Sequence, residues 1–132
     1  MKIPNTPLFV KTHDFNVWLL NHTRRFPKHF RYSLTQRIEN LALGFEQTLL
    51  QANGATRDIR KTLLQRADTE LVCLRACLRY TLNFELLGRR QFEFASESLN
   101  ELGRLLGGLA QGDKLITWFF SCVAWRFLAQ LC

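Results

Sequence analysis

Apolar residues recur at helical spacing in four successive stretches of this chain, and short breaks marked by proline, glycine or asparagine separate them. The clearest stretch runs from Pro27 to about Gln51. There Phe30, Leu34, Ile38, Leu41, Phe45 and Leu49 follow one another three or four residues apart, tracing one face of an α-helix. Before it, Pro7 to Arg25 carries Leu8, Phe15, Trp18, Leu19 and His22 in a looser stripe, with Asp14 among them. Pro27 ends that run, because proline restricts the residue before it and has no backbone N–H to donate. Phe26-Pro27 is therefore expected to form a corner between two antiparallel helices.

Asn53-Gly54 predicts a stop with a left-handed residue, and Thr56 then caps a third helix reaching about Leu87. Its stripe is Ile59, Leu63, Ala67, Leu71, Leu74, Leu78 and Leu82, with Gly88 as the terminator. A fourth helix, Phe92 to Ala110, repeats the spacing with Ala95, Leu99, Leu102, Leu106 and Leu109. No alternating strand pattern competes. Short links between long helices predict an all-α protein, an up-down-up-down antiparallel four-helix bundle over 1–112. Residues 113–132 form an apolar C-terminal extension. Its segment LITWFFSCVAWRFLAQLC is interrupted by Arg126, and a membrane span needs about 20 apolar residues. A fifth helix or a docking tail is preferred there to a span.

Composition narrows the function classes. With 132 residues, 47% hydrophobic and 22% charged, the chain has the balance of one globular domain. Cys73 and Cys77 lie four apart while Cys122 and Cys132 are distant, so no zinc-ligand spacing arises. His13, His22 and His29 lack the ExxH pattern of di-iron bundles, and packing or surface roles are expected for them. No metal or cofactor is expected. The opening MKIPNTPLFVKTHDF has no continuous apolar core of a signal peptide, so a cytoplasmic location with free thiols is expected. Neither a phosphate-binding glycine loop nor a nucleophile elbow occurs, so an enzyme is not expected.

Charge changes the picture more. The net charge is +7, with a pI of about 9.8, and such an excess favours a polyanionic partner. The stretch RRFPKHFRYSLTQR contains Arg24, Arg25, Lys28, Arg31 and Arg37 with no acid until Glu39. Arg31 and Arg37 flank the apolar stripe on opposite sides, and Tyr32 points away from it. In the third helix Arg75 and Arg79 share a face. Either anionic groups of a partner or carboxylates of a sibling subunit, such as Glu97 or Glu101, would satisfy them. The fourth helix reverses the balance with Glu93, Glu97 and Glu101.

Three motifs occur in order: R-F-P-K-x-x-R (Arg25, Phe26, Pro27, Lys28, Arg31), L-x-x-L-R-x-x-L-R-Y (Leu71 to Tyr80), and L-G-R-L-L-G-G (Leu102 to Gly108). Together, over about residues 8 to 110, they resemble the accessory variability determinant proteins of diversity-generating retroelements. They also resemble the wider four-helix-bundle family that includes proteins encoded by ribosomal-RNA intervening sequences. The resemblance implies a homopentamer of basic four-helix bundles without a catalytic centre. It implies binding to the element's reverse transcriptase and to template RNA, possibly as an RNA/DNA hybrid, in support of mutagenic complementary-DNA synthesis. It places Arg75 and Arg79 first among the partner- or RNA-facing residues, followed by Arg25, Lys28, Arg31, Arg24 and Arg37. Gly103 and Gly107 would allow close helix approach within the bundle or between subunits. The alternative implied is an RNA-binding bundle of the intervening-sequence type with no reverse transcriptase partner. The apolar tail departs from the family pattern.

Overall fold

A computed structural model describes residues 4–111 of the chain. The tail over 113–132, and with it the expectations of a fifth helix, docking tail or membrane span, lies outside the described residues, as do Cys122 and Cys132. Four α-helices make up the described part: α1 (Pro7–Thr23), α2 (Gln36–Asn53), α3 (Arg57–Asn83) and α4 (Arg89–Gln111). Among the described residues there is no strand, and no helix is long and apolar enough to cross a membrane.

Side-chain pairs fix the antiparallel order. As α1 rises through His13, Asn16 and Thr23, its partners on α2 descend through Glu46, Ala42 and Glu39. Thr48 on α2 donates to Glu70 on α3 at 2.8 Å, and Arg75 on α3 donates to the Leu99 carbonyl of α4 at 2.9 Å. Lys11 near the start of α1 pairs with Glu101 near the end of α4, and the rings of Trp18 and Phe94 meet at 4.8 Å. The ring of helices thus closes between α1 and α4, which is the up-down-up-down bundle that short links predict.

One core fills the bundle, with Leu19, Ile38, Phe45, Leu71, Leu74, Leu78, Leu99 and Leu102 among its fully buried side chains. Complete burial of each is worth about 1.5–3 kcal/mol, which makes these faces the main force holding the helices together. The stripes expected for the second and fourth helices point into this core except at their ends: Phe30 lies at the corner against His29 and Phe84, outside the core, and Leu109, in the last turn, is 36% exposed. In α3 the middle of the stripe is buried, but Ile59 is 58% and Leu82 41% exposed, and Leu64 and Thr81 are buried instead. The reason is angular drift. At ~100° per residue, Ile59 and Leu82 stand about 140° apart on the wheel, too far for one face.

Several boundaries differ from expectation for local reasons. The second helical stretch starts with a 3₁₀ turn at Lys28–Phe30 and a π turn at Arg31–Thr35 before becoming regular. Gly54 closes α2 at φ −98°, outside the left-handed region. Thr56 does precede α3 with extended backbone, but its hydroxyl makes no cap bond. The third helix stops at Asn83, short of Leu87. Its end is a Schellman turn: Leu86 N–H bonds Thr81 C=O at 2.8 Å and Glu85 N–H bonds Leu82 C=O at 3.2 Å. Glu85 takes the left-handed position at φ 56°. Gly88 instead caps α4, its N–H donating to Gln91 Oε1 at 2.9 Å, which is the return half of a capping box. Consequently α4 begins at Arg89, three residues before Phe92.

Candidate functional site

Two helix corners lie together at one end of the bundle. The first is the Phe26-Pro27 corner, where tight backbone bonds turn the chain: Arg25 N–H to His22 C=O at 3.1 Å, Phe26 N–H to Thr23 C=O at 3.0 Å, and Phe30 N–H to Pro27 C=O at 3.0 Å. Phe26 packs against the core, so the neighbouring Arg24, Arg25, Lys28 and Arg31 all stay exposed. The second corner joins α3 to α4. Contact between the Phe30 and Phe84 rings, 5.3 Å between centroids, ties the two corners together. That brings Arg89 and Arg90, also exposed, to the same end of the molecule.

This end is electrostatically unfavourable for the fold itself. The N-terminus of α4 carries the partial positive charge of the helix dipole, yet its first turn holds Arg89 and Arg90 and no acid. Lys28 and Arg31 sit likewise at the start of the second helical stretch, where Glu39 is the first acid. Each such placement works against helix stability by about 0.3–1 kcal/mol. Arg24 alone follows the dipole rule, at the C-cap of α1. Glu39, bonded to Thr23 at 2.7 Å, and Glu85 and Glu93 are the nearby acids; Glu93 lies 3.9 Å from Arg89 as an exposed pair, which contributes little. A polyanion docking here would receive converging positive charge and the free N–H groups of a helix start.

The two arginines of α3 have different surroundings. Arg75 is half-buried, with its guanidinium reaching across to α4. Burial lowers its pKa to about 10, with Asp68 pulling the opposite way; it is still a cation at neutral pH. A Cβ on Gly103 would come within 3.2 Å of Arg75 Nη2, so Gly103 makes room for a guanidinium within the bundle. Gly107 is half-buried one turn further on. Arg79, by contrast, is exposed, and so are Tyr80 beside it and Tyr32 at the first corner. Arg37 is exposed on the rim of an open groove of about 600 Å³ between α2 and α3. Glu70 lines that groove and is held by Thr48 and by Arg66 at 3.1 Å.

Two acids of α4, Glu93 and Glu101, find partners within the molecule. Glu101 pairs with Lys11 and lies 3.7 Å from Arg104; the hydrogen bond from Lys11 is the main reason its carboxyl sits below the usual range. Of the cysteines, Cys73 is exposed and Cys77 buried, both as free thiols, and burial pushes the Cys77 thiol up. Among the described residues no group of three His, Cys, Asp or Glu side chains is placed to hold a metal ion.

Structure thus gathers Arg24, Arg25, Lys28 and Arg31 at one end, leaves Arg79 exposed on α3, and sets Arg75 and Arg37 on the α3–α4 and α2–α3 seams. Sequence reasoning passed over Arg89, Arg90 and Phe84 as site residues. The available signal was two arginines directly after a helix-stop region, which any antiparallel bundle must return to the Phe26-Pro27 end.

Comparisons with known proteins agree with this architecture. A solved structure from Bacteroides thetaiotaomicron VPI-5482, a protein of unknown function from the S23 ribosomal protein family, is 18% identical. It matches with a TM-score of 0.71, over 78% of this chain and 97% of its own, which establishes likeness of fold. No match was found among curated proteins. A family model described as bAvd-like matches residues 8–112, the whole bundle. On that match, the chain belongs to the bAvd-like family.

Proposed function

We propose that this chain is a non-catalytic accessory protein of a diversity-generating retroelement. It binds the element's reverse transcriptase and template RNA, alone or as an RNA/DNA hybrid, and supports mutagenic complementary-DNA synthesis as a homo-oligomer, a pentamer by family kinship. The observation that carries the reading is the basic end, where six exposed cations surround two joined corners and four of them oppose the helix dipoles. Charge kept where it weakens the fold is understandable when a phosphate backbone neutralises it on binding. Family membership supplies the retroelement context. Arg79, exposed on α3, is the leading contact for the reverse transcriptase, and Arg75 supports it by fixing α3 against α4.

The test is co-expression with a diversity-generating-retroelement reverse transcriptase from the same genome. The wild-type chain should co-purify with that enzyme and permit complementary-DNA synthesis on template RNA. Arg79→Glu should abolish co-purification with helical content unchanged. RNA binding without co-purification by the wild-type chain would favour instead a bundle of the intervening-sequence type.

A further inference from the structure

Tyr80 and Phe84 are large rings left 54% and 55% exposed. They stand four residues apart at the end of α3 and so share one face, about one helical turn from each other. Phe84 is held from behind: its ring meets Phe30 at 5.3 Å, and Phe30 meets His29 at 4.2 Å. The Schellman bonds of Leu86 and Glu85 clamp the backbone on the other side. Apart from the Phe30 contact of Phe84, the outer faces of both rings are turned to solvent and not into the core. Cations outnumber acids around it: Arg79 directly precedes Tyr80, Arg31 follows Phe30, and Arg89 and Arg90 continue past the turn, against Glu85 beside Phe84.

We infer that Tyr80 and Phe84 form a stacking platform for unpaired bases, with the cations of the basic end tracking the adjoining phosphates. The inference rests on the nucleic-acid reading above and narrows it to single-stranded RNA. Rings interleaved with cations suit a strand whose base faces are exposed, because every base offers a π-face. An A-form duplex stacks its bases internally and offers mainly phosphates and hydroxyls. It would engage the cations and leave both rings idle. A protein or sibling subunit is the competing occupant, since aromatic residues and arginine are both enriched at protein interfaces; the excess of cations on a chain of net charge +7 favours a polyanion.

The full chain is titrated with an unstructured RNA oligomer and with a duplex of the same length. Variants are Tyr80→Leu/Phe84→Leu, which keeps apolar volume without a π-face, and Phe84→Trp; thermal unfolding is followed in parallel. The double variant should bind single-stranded RNA about tenfold or more weakly, from stacking worth ~1–3 kcal/mol per base. Its duplex affinity should be unchanged, and Phe84→Trp should retain single-strand affinity. Single-stranded RNA carrying 5-iodouridine should photocrosslink to the tryptic peptide from Tyr80 to Arg89. Equal losses on strand and duplex, or no loss on either, would overturn the platform while leaving phosphate binding intact. A change in oligomer size with RNA binding untouched would assign the rings to a subunit or protein interface and overturn it too. Failure of the wild-type chain to bind either RNA would overturn the nucleic-acid reading itself.

Discussion

Glu85 carries a backbone conformation that suits glycine. At φ 56° it occupies the left-handed position of the turn ending α3, where a residue with a Cβ is disfavoured by about 1–2 kcal/mol. Glycine would relieve that strain but lose more entropy on folding, by roughly 0.5–1 kcal/mol. Glu85→Gly should therefore raise the unfolding free energy by up to about 1 kcal/mol, seen as a higher urea midpoint with an unchanged slope. An unchanged or lower midpoint would show that the turn holds no such strain. The sequence points to Gly88 as the stop because glycine is the usual left-handed residue, and glutamate gives no such signal. What marks the true end is a pair of backbone bonds back to Thr81 and Leu82, and these exist only once the chain has turned.

At the scale of the element, a polar contact from a half-buried arginine links α3 to α4. Arg75 donates to the Leu99 carbonyl, and Gly103 leaves the space its guanidinium occupies. Glycine within a helix costs about 0.5–1 kcal/mol relative to alanine, so Gly103→Ala would ordinarily stabilise α4. Here the new Cβ would lie 3.2 Å from Arg75 Nη2 and displace it. A double-mutant cycle should expose the link: Gly103→Ala gains its full propensity only in an Arg75→Met background, with a coupling of about 1 kcal/mol. Additive effects would mean that Arg75 and Gly103 are independent. The helices themselves were legible because apolar spacing near 3.6 names a face directly. The Arg75–Gly103 fit was not, since it is a relation between two helices. Nor was the π turn at Arg31–Thr35, where the Phe30, Leu34, Ile38 spacing reads as ordinary α-helix. In α3 the apolar residues at both ends were simply more numerous than the core face could take.

Over the whole molecule, topology decides where charge collects. The Phe26-Pro27 corner and the short links were readable, and they sufficed for the up-down-up-down order. From that order follows a meeting the linear sequence conceals: Phe84, Arg89 and Arg90 lie more than fifty residues from Phe30, yet share its end of the bundle. From sequence, the charge difference expected is between the sides of the bundle; the fold in addition gathers six exposed cations around two joined corners at one end. The measurement that bears most directly on this end as a polyanion site is the salt dependence of template-RNA binding. It compares the wild-type chain with Arg24→Gln/Arg25→Gln/Lys28→Gln/Arg31→Gln. Wild-type affinity should fall linearly with salt on logarithmic axes. The variant should bind more weakly, with a slope shallower by about 2–3, at ~0.7 for each single-strand phosphate it no longer neutralises. The same slope and affinity in both proteins would contradict a polyanion site at this end.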